Sequence, residues 1–315
     1  RVVANGTPVE LRNQSEWAGA VNLRVNGVAV AAIQERLNRL RSAKRVAAST
    51  NGAHVAVTVF PRAAGDGDLT RDVIEATNGT LVVDTATAVV ANAGLMEAVA
   101  HGTLELRGTI DSHAGGRLVA NDAAAGTSVL LLDGATLLGG SITTDAADPG
   151  SALRVTTGGT LDGTAHAVTL TAGSQAIVDG NESLTLLGTL TNHGTLEIGG
   201  DGVYGFVGTL QIGGAVSLGG GGTVALAEHA NPQDTTATQL ITGGALENVD
   251  NLIIGYGKLG GGTLALTNDA TGTIEATHGT LLVDTGAAVV ANAGLMEAIA
   301  HGTLELRGTI DSHAG

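Results

Sequence analysis

Residues 74–115 read IEATNGTLVVDTATAVVANAGLMEAVAHGTLELRGTIDSHAG, and residues 274–315 read IEATHGTLLVDTGAAVVANAGLMEAIAHGTLELRGTIDSHAG. The two stretches lie 200 positions apart and differ only at Asn78/His278, Val82/Leu282, Ala86/Gly286, Thr87/Ala287 and Val99/Ile299. A compact enzyme has little use for two copies of one surface, whereas an array gains length from every copy. The repeat therefore predicts a tandem, quasi-one-dimensional architecture. The second copy stops at Gly315 where the first runs on into Gly116-Arg117-Leu118, so the chain reads as a segment of a longer protein.

Inside the long repeat lies a shorter one. Gly-Thr followed by Leu, Ile or Val recurs along the chain, as at Gly79, Gly102, Gly108, Gly188, Gly194, Gly272, Gly279 and Gly302. Each joins a turn former to a short β run. In Thr103-Leu104-Glu105-Leu106-Arg107 a period of two sends the leucines inward and the charges outward. Ser183–Leu186 and Thr263–Thr267 alternate in the same way. Glu75-Ala76 returns at Glu97-Ala98 and Gly79 at Gly102, a step of 22 or 23 residues. Three strands of about five residues with three turns fill such a step, and parallel strands stack about 4.8 Å apart. About nine coils then fit the 200-residue unit. The fold expected over residues 73–315 is a right-handed parallel β-helix (β-solenoid) of about 22 residues per coil, the hand following the general preference of parallel crossovers.

Composition agrees with a core of small aliphatics. The chain has two Phe, two Tyr and one Trp but 49 Gly. It has no Cys, which excludes disulfides, thiolate metal sites and a cysteine nucleophile. Net charge is −15, unevenly spread: residues 1–72 hold ten Lys and Arg against six acids, and residues 73–315 hold five against twenty-four. The acidic part repels nucleic acid and anionic lipid. No run reaches the roughly 18 apolar residues of a membrane span, so no membrane insertion is expected here, and an export signal would lie outside residues 1–315.

Residues 1–72 lack the Gly-Thr-Leu rhythm and form a separate, mixed strand and helix segment. Pro8–Leu11, Val21–Val25 and Val55–Phe60 read as strands. Ile33, Leu37 and Leu40 share one face of a helix, with Arg36, Arg39, Arg41 and Lys44 elsewhere. The segment is expected to be an amphipathic cap or insertion covering an open solenoid end.

The motif Asn92-Ala93-Gly94-Leu95-Met96-Glu97-Ala98, followed by Gly102-Thr103-Leu104-Glu105-Leu106-Arg107-Gly108-Thr109-Ile110, resembles the repeats of giant bacterial adhesin-like exoproteins. Thr189–Ile198 is similar to repeats of filamentous haemagglutinin and autotransporter passengers. The resemblance covers about residues 73–315. It implies a parallel β-helix, a bacterial surface or extracellular location, and a non-catalytic role in adhesion or surface architecture. The partners it implies are end-to-end self-association or continuation of the same long chain, and a host or matrix surface.

Candidate sites are sparse. His278 stands where the first copy has Asn78, just before a Gly, so the recurring His101, His113, His193, His278, His301 and His313 read as turn residues rather than metal ligands. Gly199–Val207 approximates a calcium-binding nonapeptide, but Tyr204 occupies the ligand Asp position. The cation candidates are Glu75 stacked over Glu97 and Glu275 over Glu297, which either splay into solvent or share a cation such as calcium. No catalytic residue, cofactor or defined metal site is assigned. The alternative is a β-helical polysaccharide lyase or glycoside hydrolase, which needs clustered carboxylates or a base beside a sugar groove. Asp145, Asp148, Asp162 and Asp179 form no constellation in sequence. Ice binding needs regular Thr ladders, and the spacing of Thr here varies.

Overall fold

The computed structural model describes residues 73–121, 127–148, 150–200, 206–226 and 239–312, together with the backbone of six short strands between Val2 and Val57. These residues are all-β without a helix. Parallel strands stack as a β-solenoid whose coils follow one another about 23 residues apart. The helix expected around Ile33–Leu40 falls outside the described residues. The chain divides into two compact units, Arg1–Leu153 and Arg154–Gly315.

In the first unit each coil carries three strands. Val73–Thr77, Leu95–Val99, Arg117–Asn121 and Gly140–Thr144 form one parallel stack. The front of Thr80–Ala91, Thr103–Asp111 and Val129–Leu132 form a second. The rear of the two long strands and Thr136–Leu138 form the third. Period-two alternation turns every other side chain inward, and in-register pairing then aligns those side chains in columns. Leu81, Leu104 and Leu130 make one column, Val83, Leu106 and Leu132 another, and Val90, Ile110 and Leu137 a third, all buried. Full burial of each such side chain is worth about 1.5–3 kcal/mol, so the columns supply what aromatic residues supply elsewhere.

Gly-Thr-Leu has a packing reason as well as a turn reason. Gly102 is buried, and a Cβ there would collide with the carbonyl of Ala76 on the preceding coil. Only a bare Cα lets consecutive coils approach at this corner.

Parallel pairing also reaches upstream of residue 73. Arg45–Thr50 pairs with Val73–Thr77, and His54–Val57 pairs with Thr80–Val83. Val2–Ala4 and Val9–Arg12 pair in turn with those strands. Val9–Arg12 additionally pairs antiparallel with Asn22–Val25, which itself pairs antiparallel with Val28–Ala29.

The second unit repeats the plan. Ala176, Leu196, Val224, Ile253, Ile274 and Met296 form one inward column. Leu184, Leu210, Ile241, Leu259, Val283 and Leu306 form another. Coil length varies more than the 22-to-23-residue step measured in the repeat. Thr223 pairs with Leu252, 29 positions on, whereas Gln175 pairs with Thr195, 20 on. Part of the variation falls within the long strands, whose register shifts between Gly163 and Val168 and between Ile212 and Ala215.

Candidate functional site

The four glutamates singled out in the sequence are brought together as two pairs. Glu75 lies directly opposite Glu97 in the parallel ladder, and Glu275 opposite Glu297, all four half-buried. The first stack ends after two, with Ala47 opposite Glu75 on the preceding coil and Val119 opposite Glu97 on the next, and in the second Ile254 faces Glu275 on the preceding coil. The Thr77 hydroxyl donates to Glu75 Oε1 at 2.9 Å. Among the described residues no group of three or more His, Cys, Asp or Glu side chains is placed to hold a metal ion. Residues 201–205 of the nonapeptide lie outside the described residues.

Among the described residues, ion-pair clusters form around Arg107, Arg307 and Arg154. In the first unit Arg107 contacts Glu105 on its own strand, Asp133 on the following coil at 2.7 Å and Asp84 on the preceding coil at 4.0 Å. Burial alone would lower the Arg107 pKa; the charges of Glu105, Asp133 and Asp84 outweigh it, and the net shift is upward. Glu105 corrects the simple inside-outside reading, being only 7% exposed. Val82 and Leu131 flank it in register on the adjacent coils, and Arg107 closes over its carboxylate. Arg307 repeats the arrangement with Glu305 at 2.8 Å and Asp284 at 3.9 Å.

In the second unit the Arg154 guanidinium donates to Asp179, and Gln175 Nε2 donates to Glu197 Oε2 at 3.1 Å. Burial raises the Glu197 pKa, against the opposing effects of the Gln175 hydrogen bond and the Arg154 charge. Asp179, noted in sequence without companions, thus acquires Arg154. Glu197 was missed, because its neighbours come from strands 20 or more positions away. Asp145 accepts from the Ala147 amide, Asp148 from Gly150 and Asp162 from Thr164. Asp145 and Asp148 brace turns, while Asp162 and Thr164 lie within the strand Gly159–Leu170.

At the repeated corners the histidines and Asn78 adopt left-handed backbone. Asn78 and His278 have φ of 50° and 55°, and His101 and His301 have φ of 62° and 65°. Asn and His are tolerated in this left-handed region better than most residues, so exchange between them preserves the corner. His193 instead places Nδ1 2.6 Å from the Gly220 carbonyl. His313 is outside the described residues.

A buried amide ladder went unread. Asn248 donates through Nδ2 to Asn268 Oδ1 at 2.8 Å, and Asn268 donates to Asn292 Oδ1 at 2.8 Å. Asn192 donates to Asn251 Oδ1 at 2.9 Å, and in the first unit Asn92 donates to the Ser112 hydroxyl at 3.0 Å. Each of these bonds links one coil to another, and the free lone pairs often hold the following turn, as where the Gly194 amide donates to Asn192 Oδ1. Asn92, Asn192 and Asn292 stand in Asn-x-Gly, whereas Asn248, Asn251 and Asn268 do not, so the motif marks only part of the ladder.

Compared with known protein families, curated proteins and solved structures, the chain matches none. Among the described residues no helix is long and apolar enough to cross a membrane.

Proposed function

We propose that this chain is a non-catalytic structural segment of a large, repetitive bacterial surface protein, forming part of a stalk, fibre or filament outside the cell. One observation carries the reading: the two copies of the long repeat duplicate scaffold chemistry. Each contains left-handed Asn or His corners, inward aliphatic columns, an Asn-x-Gly turn and an Arg clasped by acids of its own and the preceding coil. Duplicating such parts lengthens an array without improving any one site. Adhesion to a host or matrix surface, with end-to-end stacking or continuation of one long chain, fits that role.

The test is imaging of the parent protein on intact cells beside cells lacking it. Loss of a fibre, surface layer or attachment phenotype is the expected result. A cytosolic location would contradict it. So would depolymerisation of a polysaccharide by the purified protein, abolished by Glu197→Gln or Asp179→Asn, which would favour the lyase or hydrolase alternative.

A further inference from the structure

The structure sorts the described asparagines into two groups. Asn92, Asn192, Asn248, Asn251 and Asn268 are buried, and their side chains are engaged in cross-coil hydrogen bonds, as is that of half-buried Asn292. None of these six has Ser or Thr two positions on. Asn78, Asn121 and Asn181 are exposed. Two of the three open an Asn-x-Ser/Thr triplet without proline between, Asn78-Gly79-Thr80 and Asn181-Glu182-Ser183. That triplet is the acceptor pattern for attachment of a sugar to an asparagine amide.

Both triplets are presented alike. Asn78 and Asn181 have φ of 50° and 63°, and each stands at a corner leading into a strand, Thr80–Ala91 in one case and Ser183–Asn192 in the other. Leu81 and Leu184 are buried, so alternation turns the preceding Thr80 and Ser183 outward. Among the described residues the Asn78 side chain makes no hydrogen bond, and Asn181 uses Oδ1 alone, which accepts from the Val207 amide at 3.4 Å. At each corner the amide nitrogen and the hydroxyl of the triplet therefore face solvent together.

We propose that Asn78 and Asn181 are N-glycosylation sites, each accepting a sugar from a donor whose anomeric carbon carries a phosphate leaving group. In the transfer the bond from Nδ2 to the anomeric carbon forms as the bond from that carbon to the phosphate oxygen breaks. The phosphate departs with the electron pair, and one Nδ2 proton passes to a base of the transferase. Nucleotide-linked and lipid-linked sugars share this chemistry. A bulky polar group at these corners projects from the coil and displaces no inward column. The proposal rests on the structural-segment reading, which puts both corners outside the cell. The long repeat supplies an internal control. His278-Gly279-Thr280 replaces Asn78-Gly79-Thr80 at an exposed corner with φ of 55°, and His278 donates its amide to the Ala300 carbonyl as Asn78 does to Ala100. The second copy thus keeps the corner and lacks only the acceptor amide.

The experiment is peptide-resolved mass spectrometry of the parent protein recovered from its own cells, beside three variants. Sugar mass is expected on Asn78 and Asn181 and on none of the six buried or half-buried asparagines. Asn78→His installs the residue that the second copy carries, so it should keep the β circular dichroism and lose the first modification completely. Ser183→Ala should lose the second while Asn181 itself remains. His278→Asn should gain a third, at residue 278. The donor is distinguished by incubating purified unmodified protein either with membrane-free extract and a nucleotide sugar or with membranes carrying lipid-linked sugar; transfer in either arm supports the shared chemistry. Unmodified Asn78 and Asn181 would overturn the proposal, and if the same protein is imaged on the cell surface the structural-segment reading stands without it. Sugar that persists in Asn78→His or Ser183→Ala, or no gain at residue 278, would overturn it as well. Modified asparagines in a cytosolic protein would uphold the sites and overturn the surface location instead.

Discussion

Leu106 and Leu306 sit in nearly identical coils, yet the first is fully buried and the second is 46% exposed. The sequence of a coil sets which side chains point inward, and the coil that follows decides how much water they lose. A second contrast lies within the repeat. Thr80–Ala91 runs as one strand, whereas the equivalent segment breaks into a strand ending at Asp284, a turn and Val290–Asn292. The break falls where Ala86-Thr87 is replaced by Gly286-Ala287. Gly286 has φ of 64° and donates its amide to Asp284 Oδ1 at 3.0 Å, while the Thr285 hydroxyl donates to the Ala288 carbonyl at 2.7 Å. The glycine and these two hydrogen bonds cap a corner where the first copy continues as strand.

The largest expected effect tests the first contrast. Leu106→Ala should cost about 2–5 kcal/mol in chemical denaturation by opening a cavity between coils. Leu306→Ala should cost less, about 1 kcal/mol, because nearly half of its surface stays in contact with water. Equal losses would mean that the following coil contributes nothing to the column.

Asn268→Ala should come next, at about 1–3 kcal/mol for the partners left unsatisfied at Asn248 Nδ2 and Asn292 Oδ1. Asn292 belongs to the second copy, and its counterpart Asn92 relies on Ser112 instead. Hydrogen exchange should therefore loosen around residues 290–295 and leave 90–95 unaffected.

Gly286→Ala installs the first copy's residue in the second. A side chain there is held left-handed and meets the Gly262 carbonyl, so a loss of about 1–2 kcal/mol in thermal or chemical unfolding is expected. No loss would show that the corner does not depend on glycine.

Glu197 gives a pH test. Its folded pKa is raised by burial above the ordinary glutamate value of 4.5, so its contribution to stability is full below that value and is lost as pH rises through the raised pKa. Glu197→Gln should remove that decline, flattening stability against pH from about 4.5 upward. An unchanged pH profile would show that Glu197 is not desolvated.

The smallest effect belongs to the corners. His278→Asn restores the first copy's residue at a φ that both tolerate, and melting should shift by no more than about 0.5 kcal/mol. A metal-dependent melting transition that vanishes with the substitution would overturn the turn assignment.

Much of this fold was legible because its rules are local. Leu104 and Leu106 are inward by alternation, and Gly79 and Gly102 mark the step. The cross-coil groups were not legible, since partners in a solenoid are a coil or more apart in sequence and the step varies from one coil to the next. Glu105 looked solvent-facing until Val82 and Leu131 were placed beside it. Arg154 and Asp179 are separated by 25 residues, and nothing in either segment names the other. Asn92, Asn192 and Asn292 are marked in sequence by a glycine two positions on, but Asn248 and Asn268 are not, and their amide-to-amide bonding emerges only from the register.

Excision of one coil tests the modular account most directly. Leu95 pairs with Arg117, so deleting residues 95–116 removes 22 residues and should bring Leu81 onto Leu130, Val90 onto Leu137 and Ile74 onto Leu118 without changing face or register. The account predicts a protein that keeps its β circular dichroism and cooperative unfolding, while deletion of residues 95–105 alone, half a coil, destroys both. Equal collapse of the two deletions would contradict it.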